Sequence, residues 1–260
     1  MGSDGVIYLC ISLPWSEERR RSIAEQATRL GIDILFIDAV AGKTLPPVVP
    51  QYDAKKRFKT FSWDLFPNEI ACVLSHAEAM RFFLDSGAEY AVIMEDDALL
   101  ADHLVEAVRE ITQSLRGWEM AKLNTDDNSV LYSIGDEGGV YTRAVFPKKL
   151  LWVSVGWLYT RRGALRMLES LSSFSLPADV QIGHSILEHQ IPAIGITPSL
   201  ITTSDPHSIN STLRRNSAPP PVTIRRRSPM QYIRYRLSVW AVSWGKLRMR
   251  RLLRRCIRRI

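Results

Sequence analysis

Tyr90-Ala91-Val92-Ile93-Met94-Glu95-Asp96-Asp97 is the stretch on which the fold of this 260-residue chain turns. Tyr90 to Met94 predicts a buried strand, and three consecutive carboxylates follow directly at its C-terminal end. In open α/β sheets, ligands bind in the crevice beyond the carboxyl ends of the strands. Three adjacent acids repel one another there, and a divalent cation compensates them. Magnesium or manganese suits such a place, because either takes one or two carboxylates and completes its shell with water and phosphate oxygens. The other reading of the triplet is helix capping, with Asp97 or Asp102 as the cap of the next helix.

Upstream, residues 6–13 predict a buried strand ended by Pro14. Ser16-Glu17-Glu18 then opens a helix, with Ser16 as its cap, that runs to Leu30 and stops at Gly31. Residues 33–40 predict a second strand, so the chain opens as a βαβ unit. Residues 41–67, rich in Pro, Lys and aromatics, predict a surface loop with short pieces of structure. Asn68 is the expected cap of a helix in which Ile70, Val73, Leu74, Ala77 and Met80 recur at helical spacing up to Gly87. Downstream, a helix over 102–115 and a short strand over 120–124 are followed by a polar connection over 124–139. A strand over 150–160, helices over 161–171 and 179–189 and a last strand over 193–197 complete the series. The alternation predicts a single α/β domain, a mostly parallel mixed sheet flanked by helices.

Composition narrows the class. Apolar residues make up 46% and charged residues 23%, which excludes a disordered chain and supports a folded core. Cys10, Cys72 and Cys256 are widely spaced and odd in number, with no disulfide framework or zinc spacing, which points to a reducing compartment. The apolar run at 6–13 is too short to span a bilayer and has no basic leader, and no apolar stretch reaches about 18 residues. A cytoplasmic location is expected.

The run Asn68-Glu69-Ile70-Ala71-Cys72-Val73-Leu74-Ser75-His76, followed by the strand ending in Glu95-Asp96-Asp97, resembles glycosyltransferase family 25. This is the lipooligosaccharide galactosyltransferase family, whose pattern is an E-[IV]-G-C-x-L-S-H helix and then a strand ending in E-D-D. Residues 7–13, the arginines Arg19 to Arg21 and Asp38-Ala39-Val40-Ala41-Gly42-Lys43 fit its N-terminal pattern. Gly156-Trp157-Leu158-Tyr159-Thr160-Arg161-Arg162-Gly163-Ala164 resembles its G-Y-L-I-S-R-x-G-A segment, and Leu176-Pro177-Ala178-Asp179 its P-x-D region. The resemblance runs through residues 6 to 210 in ordered blocks. Ala71 replaces the family's Gly, Trp157 its usual Tyr, and Met94 precedes the triplet; all are conservative departures.

The resemblance implies a GT-A-like fold, a nucleotide-sugar donor, usually UDP-galactose, and inversion at the anomeric carbon. A nucleoside diphosphate leaves readily only when a metal and fixed dipoles meet its developing charge. Asp97 is assigned as a direct ligand of Mn2+ or Mg2+, Asp96 as a contact of metal or donor ribose, and Glu95 as a residue orienting both. Inversion also needs a base for the acceptor hydroxyl. Asp179 is the candidate from its place in the family pattern, its alternative being a helix cap. Ser75 and His76 are candidates for donor contact by analogy, His76 otherwise being a core histidine beside the sheet. His184 and His207 are further candidates for the metal shell without diagnostic spacing, Lys122 and Asn124 for the donor site. Asp126-Asp127 reads as a solvated turn.

The net charge of +7 conceals two regions. Residues 1–205 carry 19 Lys/Arg and 27 Asp/Glu (19 − 27 = −8), whereas residues 206–260 carry 15 Lys/Arg and no acid. The expected domains are a catalytic domain over 1–212, a Pro-rich linker over 213–223 and a basic amphipathic helical tail over 224–260. In that tail arginines interleave with Trp240, Trp244 and several leucines, the pattern of a helix lying on an anionic membrane surface. Nucleic acid would use the same charges, but no motif for reading it is present. The chain thus reads as a peripheral transferase of the inner leaflet, acting on a glycan or glycolipid acceptor. The alternatives are a non-catalytic sugar-nucleotide or glycan-binding relative, and a metal-dependent phosphohydrolase, for which no further acidic motif speaks.

Overall fold

The structure, a computed structural model, describes residues 5–61, 64–125, 130–133, 142–147, 155–203, 248 and 258–259. Its strands are β1 (Val6–Ser12), β2 (Ile34–Asp38), β3 (Tyr90–Glu95), β4 (Ala98–Leu100), β5 (Leu115–Arg116), β6 (Met120–Lys122), β7 (Val130–Ser133), β8 (Arg143–Pro147), β9 (Gly156–Thr160), β10 (Ala193–Thr197), β11 (Ile201–Thr203) and β12 (Arg258–Arg259). The helices are α1 (Glu17–Leu30), α2 (Ala54–Thr60), α3 (Pro67–Asp85), α4 (Leu104–Ser114), α5 (Arg161–Ser170) and α6 (Ala178–Glu188), with a 3-10 turn at Gly42–Thr44.

β1 is buried at every position, as an inner strand of a helix-covered sheet must be. It lies between β2 and β3, parallel to both, and so places Ser12 and Glu95 at the same end of the sheet. The eight-stranded order is β2-β1-β3-β9-β6-β10-β8-β7. β9 is antiparallel to β3 and β6, and β8 to β10 and β7, so these two strands run against the others. The sheet is therefore mixed, with most strands sharing one direction, as expected. β11 pairs antiparallel with β4 and brings Thr203 opposite Ala98, just beyond the acidic triplet.

The core is continuous across the sheet, with Leu9, Ile23, Met80, Phe83, Ile93, Met94, Trp157 and Tyr159 among its buried members. Each large aliphatic or aromatic side chain so buried contributes about 1.5–3 kcal/mol. α1 stops where Gly31 takes a left-handed φ of 65°. Its N–H bonds to Thr28 O and that of Ile32 to Ala27 O, the Schellman arrangement that satisfies the last carbonyls.

Local departures have physical causes. Ser16 stands at the cap position of α1 but makes no side-chain cap bond. Asn68 is not the cap of α3. Phe66 is, because Pro67 lacks an N–H and fits the first helical position, and Glu69 Oε2 accepts from Phe66 N–H at 2.9 Å. Neither Asp97 nor Asp102 caps α4, whose cap position is His103 and which β4 separates from the triplet. Asp102 pairs instead with Arg29 at 3.2 Å. Within the stretch read as a polar connection, β7 forms a strand on β8. No described helix is long and apolar enough to cross a membrane. Of the basic tail, only Arg248 and β12 fall among the described residues, and β12 pairs antiparallel with β5.

Candidate functional site

A cleft of about 460 Å³ opens where β1 and β3 end. β1 contributes Ser12, β3 contributes Glu95 and the turn after it Asp96 and Asp97, α1 contributes Arg19, and the opposite wall is built from residues 39–43 and one face of α3. That wall is fixed from inside. Ser75 Oγ, on α3, accepts from Val40 N–H at 2.9 Å and donates to Ala71 O at 2.8 Å. Gly42 lies so close to α3 that a Cβ there would meet Asn68 Oδ1 and stand 2.7 Å from Asn68 N.

Asp96 is held on both sides. Ser12 Oγ donates to its Oδ2 at 2.7 Å, and Arg19 Nη1 to its Oδ1 at 3.1 Å. Arg20 steadies Ser12 in turn, donating to its carbonyl at 2.8 Å while pairing with Asp38. Each Asp96 oxygen keeps a further lone pair for a ligand. Asp97 Oδ2 accepts from Thr203 Oγ1 at 3.0 Å. Burial, and then the charge of Glu95, push the Asp97 carboxyl above the usual aspartate range, against the opposing pull of Thr203 and Arg19. The end of β3 thus carries an excess of negative potential, and its hard oxygen donors fit a divalent cation.

His76 is buried on α3, with Nε2 3.3 Å from Glu95 Oε1, and its Nδ1 meets no hydrogen-bond partner among the described residues. Cys72, one turn earlier, shares its face of the helix, and burial pushes the Cys72 thiol well up. Asp179 stands in the first turn of α6, where its Oδ1 accepts from Val180 N–H at 2.8 Å. The cap position of α6 is Pro177, so Asp179 is not the cap. Asp179 does not line the cleft, but its charge acts on Cys72 together with those of Glu95, Glu69 and Asp97.

The structure therefore brings Ser75, His76, Glu95, Asp96 and Asp97 into one cleft, with Asp179 nearby. It does not bring His184, which pairs with Glu188 at 3.2 Å, or Lys122 and Asn124 to the cleft lining. Asp126, Asp127 and His207 lie outside the described residues. Nothing in the sequence pattern gives Ser12, Thr203, Cys72, Trp15 or Lys43 a role in the site, and the structure places them in or beside it. Trp15 is 55% exposed at the rim, with Lys43 Nζ 4.3 Å from its ring centroid. The spacing of Cys72 and His76, four apart on one helix, was visible in the sequence; the fold had to supply Glu95.

An α/β sheet with an acidic crevice at its strand ends defines a class, the α/β proteins that bind ligands there, and no single chemistry. Comparison with known proteins supplies the chemistry: residues 6–182 match the model of glycosyltransferase family 25 (LPS biosynthesis protein), and the chain belongs to that family. It is similar to the lacto-N-neotetraose biosynthesis glycosyltransferase LgtB of Neisseria meningitidis serogroup B, with 23% identity over 211 residues, 73% of this chain and 72% of the relative. It is also similar to a Haemophilus influenzae protein named only in general terms, as a glycosyltransferase, with 26% identity over 184 residues. That match takes in 68% of this chain and 61% of the relative, so it spans about three fifths of the relative's length. A sugar donor and a glycan acceptor follow from the family.

Proposed function

We propose that this transferase moves galactose from UDP-galactose to a lipooligosaccharide or related glycolipid, with inversion, in a GT-A-like catalytic domain over residues 1–212. The observation that carries the reading is Asp97, part-buried at the end of β3 with its carboxyl pushed up beside Glu95. Such a carboxylate is poised to accept a cation. Mn2+ or Mg2+, when bound, would offset the charge developing on the leaving nucleoside diphosphate. Asp97 holds it directly. Asp96, aimed by Ser12 and Arg19, contacts the ion or the donor ribose, and Glu95 orients the pair. Arg19 and Lys43 bring positive charge to the rim for the diphosphate. Ser75 acts through the wall it ties down, and His76 serves the donor site from α3, where it lines the cleft. Asp179, just outside the cleft lining in the first turn of α6, is the base that takes the acceptor hydroxyl proton. The basic tail over 224–260 holds the enzyme on the inner face of the cytoplasmic membrane, beside a lipid-linked acceptor.

The test is release of UDP from a panel of UDP-sugars, with manganese or with chelator, for the wild type and Asp97→Ala. Turnover of UDP-galactose that needs the metal and falls at least about a hundredfold in the variant is expected. Tight donor binding without turnover, with lipid-linked acceptor supplied, would favour a binding relative. No donor binding at all would remove the assignment.

A further inference from the structure

Cys72, His76 and Glu95 each offer one ligand atom, and the three atoms lie within 4.8 Å of one another. We propose that these residues form a binding site for a zinc-class divalent cation, of different donor chemistry from the carboxylates Asp96 and Asp97. The geometry is favourable. Cys72 and His76 are four apart on α3 and therefore project from one face, while Glu95 reaches them from the end of β3. With metal–nitrogen and metal–oxygen bonds of about 2.0–2.1 Å, the N···O edge of a tetrahedral site is about 3.3 Å. The separation of His76 Nε2 and Glu95 Oε1 is 3.3 Å. A metal–sulfur bond of about 2.3 Å puts the thiol about 3.5 Å from the other two ligand atoms, and from within 4.8 Å a side-chain rotation brings it there.

Hydrogen bonding alone accounts for this cluster less well. A charge-assisted N–H···O bond is shorter, about 2.7–2.9 Å, and needs no sulfur beside it. One thiolate, one imidazole and one carboxylate form a borderline donor set that suits zinc or cobalt and is poor for magnesium or manganese. Three protein ligands leave a tetrahedral ion one position, and since all three side chains line the cleft, that position opens toward its contents. On binding, the Cys72 thiol gives its proton to solvent. The ion would tie α3 to the strand that carries the triplet. The inference does not depend on the donor being UDP-galactose, and its test reads metal binding and not turnover.

The full chain, stripped with chelator and then dialysed with zinc in the presence of excess magnesium, is expected to retain about one equivalent of zinc by atomic emission. Loaded with cobalt instead, it should show a thiolate-to-cobalt charge-transfer band in the near ultraviolet. Cys72→Ser should abolish that band, and Cys72→Ser and His76→Gln should each weaken cobalt binding at least about a hundredfold. Asp97→Asn should leave band and stoichiometry intact. Circular dichroism identifies a variant that fails to fold, and the other ligand variant then carries the test. Failure of the wild type to retain zinc, persistence of the band in Cys72→Ser, or its loss in Asp97→Asn would each overturn the site.

Discussion

Burial and the charge of Glu95 push the Asp97 carboxyl above the ordinary aspartate range, and the hydrogen bond from Thr203 and the charge of Arg19 do not outweigh them. A carboxyl whose folded-state pKa is raised stabilises the fold below the ordinary aspartate range and loses that contribution as pH rises through its own pKa. In metal-free protein at neutral pH the ionised Asp97 is therefore a cost. Asp97→Asn is expected to raise Tm in chelator at neutral pH, with the difference shrinking as the pH becomes acid, while turnover is lost. A lower Tm for the variant at neutral pH would show that the carboxylate is stabilised and not strained. Ser12 offers the complementary case. Ser12→Ala removes the 2.7 Å hydrogen bond to Asp96 and leaves the 3.1 Å contact from Arg19. Steady-state kinetics should show kcat/KM for the donor down about tenfold to a hundredfold, and denaturant unfolding a cost of only about 1 kcal/mol. Unchanged kinetics would deny Ser12 its role in aiming Asp96. The acids themselves were legible, because three carboxylates in a row at the end of an apolar strand repel one another and call for a cation. Their partners were not. Ser12, Arg19 and Thr203 lie 84, 77 and 106 residues away from the acids they meet, and nothing local marks one serine or arginine among many for such a meeting.

Helix α3 serves the cleft through its packing as much as through its side chains. Its N-terminal turn leaves no room for a Cβ at Gly42, which would stand 2.7 Å from Asn68 N and 2.8 Å from Pro67 C. Both atoms are backbone, so the helix itself would have to move. Gly42→Ala should cost about 1–3 kcal/mol and raise the KM for donor by displacing the wall that Ser75 ties to α3. Adding Asn68→Ala removes only the side-chain contact and should not restore stability in denaturant unfolding. Full recovery in the double variant would place the whole conflict in the Asn68 side chain. The long periodic elements, α1, α3, α5 and α6 with β1, β3 and β10, were readable because each carries its own apolar repeat or buried run. The helix starts were less so: at α3, a proline at the first helical position outranked the asparagine beside it. β4, β7, β8 and β11 have three to five residues each and are defined by their partners, which no local pattern announces. The same limit applies to the sheet order, in which β9 inserts between β3 and β6.

The charge of the protein is divided along the chain, −8 over residues 1–205 against 15 Lys/Arg and no acid over residues 206–260. An anionic leaflet therefore attracts one part of the molecule and repels the other. Each basic residue near such a surface is worth about 1 kcal/mol, and the attraction decays within a Debye length, about 10 Å at 0.1 M salt and about 3 Å at 1 M. The tryptophans and leucines of the tail add an apolar contribution that salt does not screen. The two contributions separate in one experiment. The chain should sediment with vesicles containing phosphatidylserine or phosphatidylglycerol at low salt and bind neutral phosphatidylcholine vesicles much less. High salt should release most of it, and what remains bound measures the apolar share. A chain shortened by residues 224–260 should stay in the supernatant under every condition, yet release UDP from the donor at a rate near that of the full chain when the acceptor is soluble. This deletion removes the pairing of β12 with β5, which lies apart from the residues lining the cleft. Equal vesicle binding by the shortened chain would move the attachment to the catalytic domain. Loss of soluble turnover would show that the tail completes the enzyme, which the separation of charge along the chain argues against.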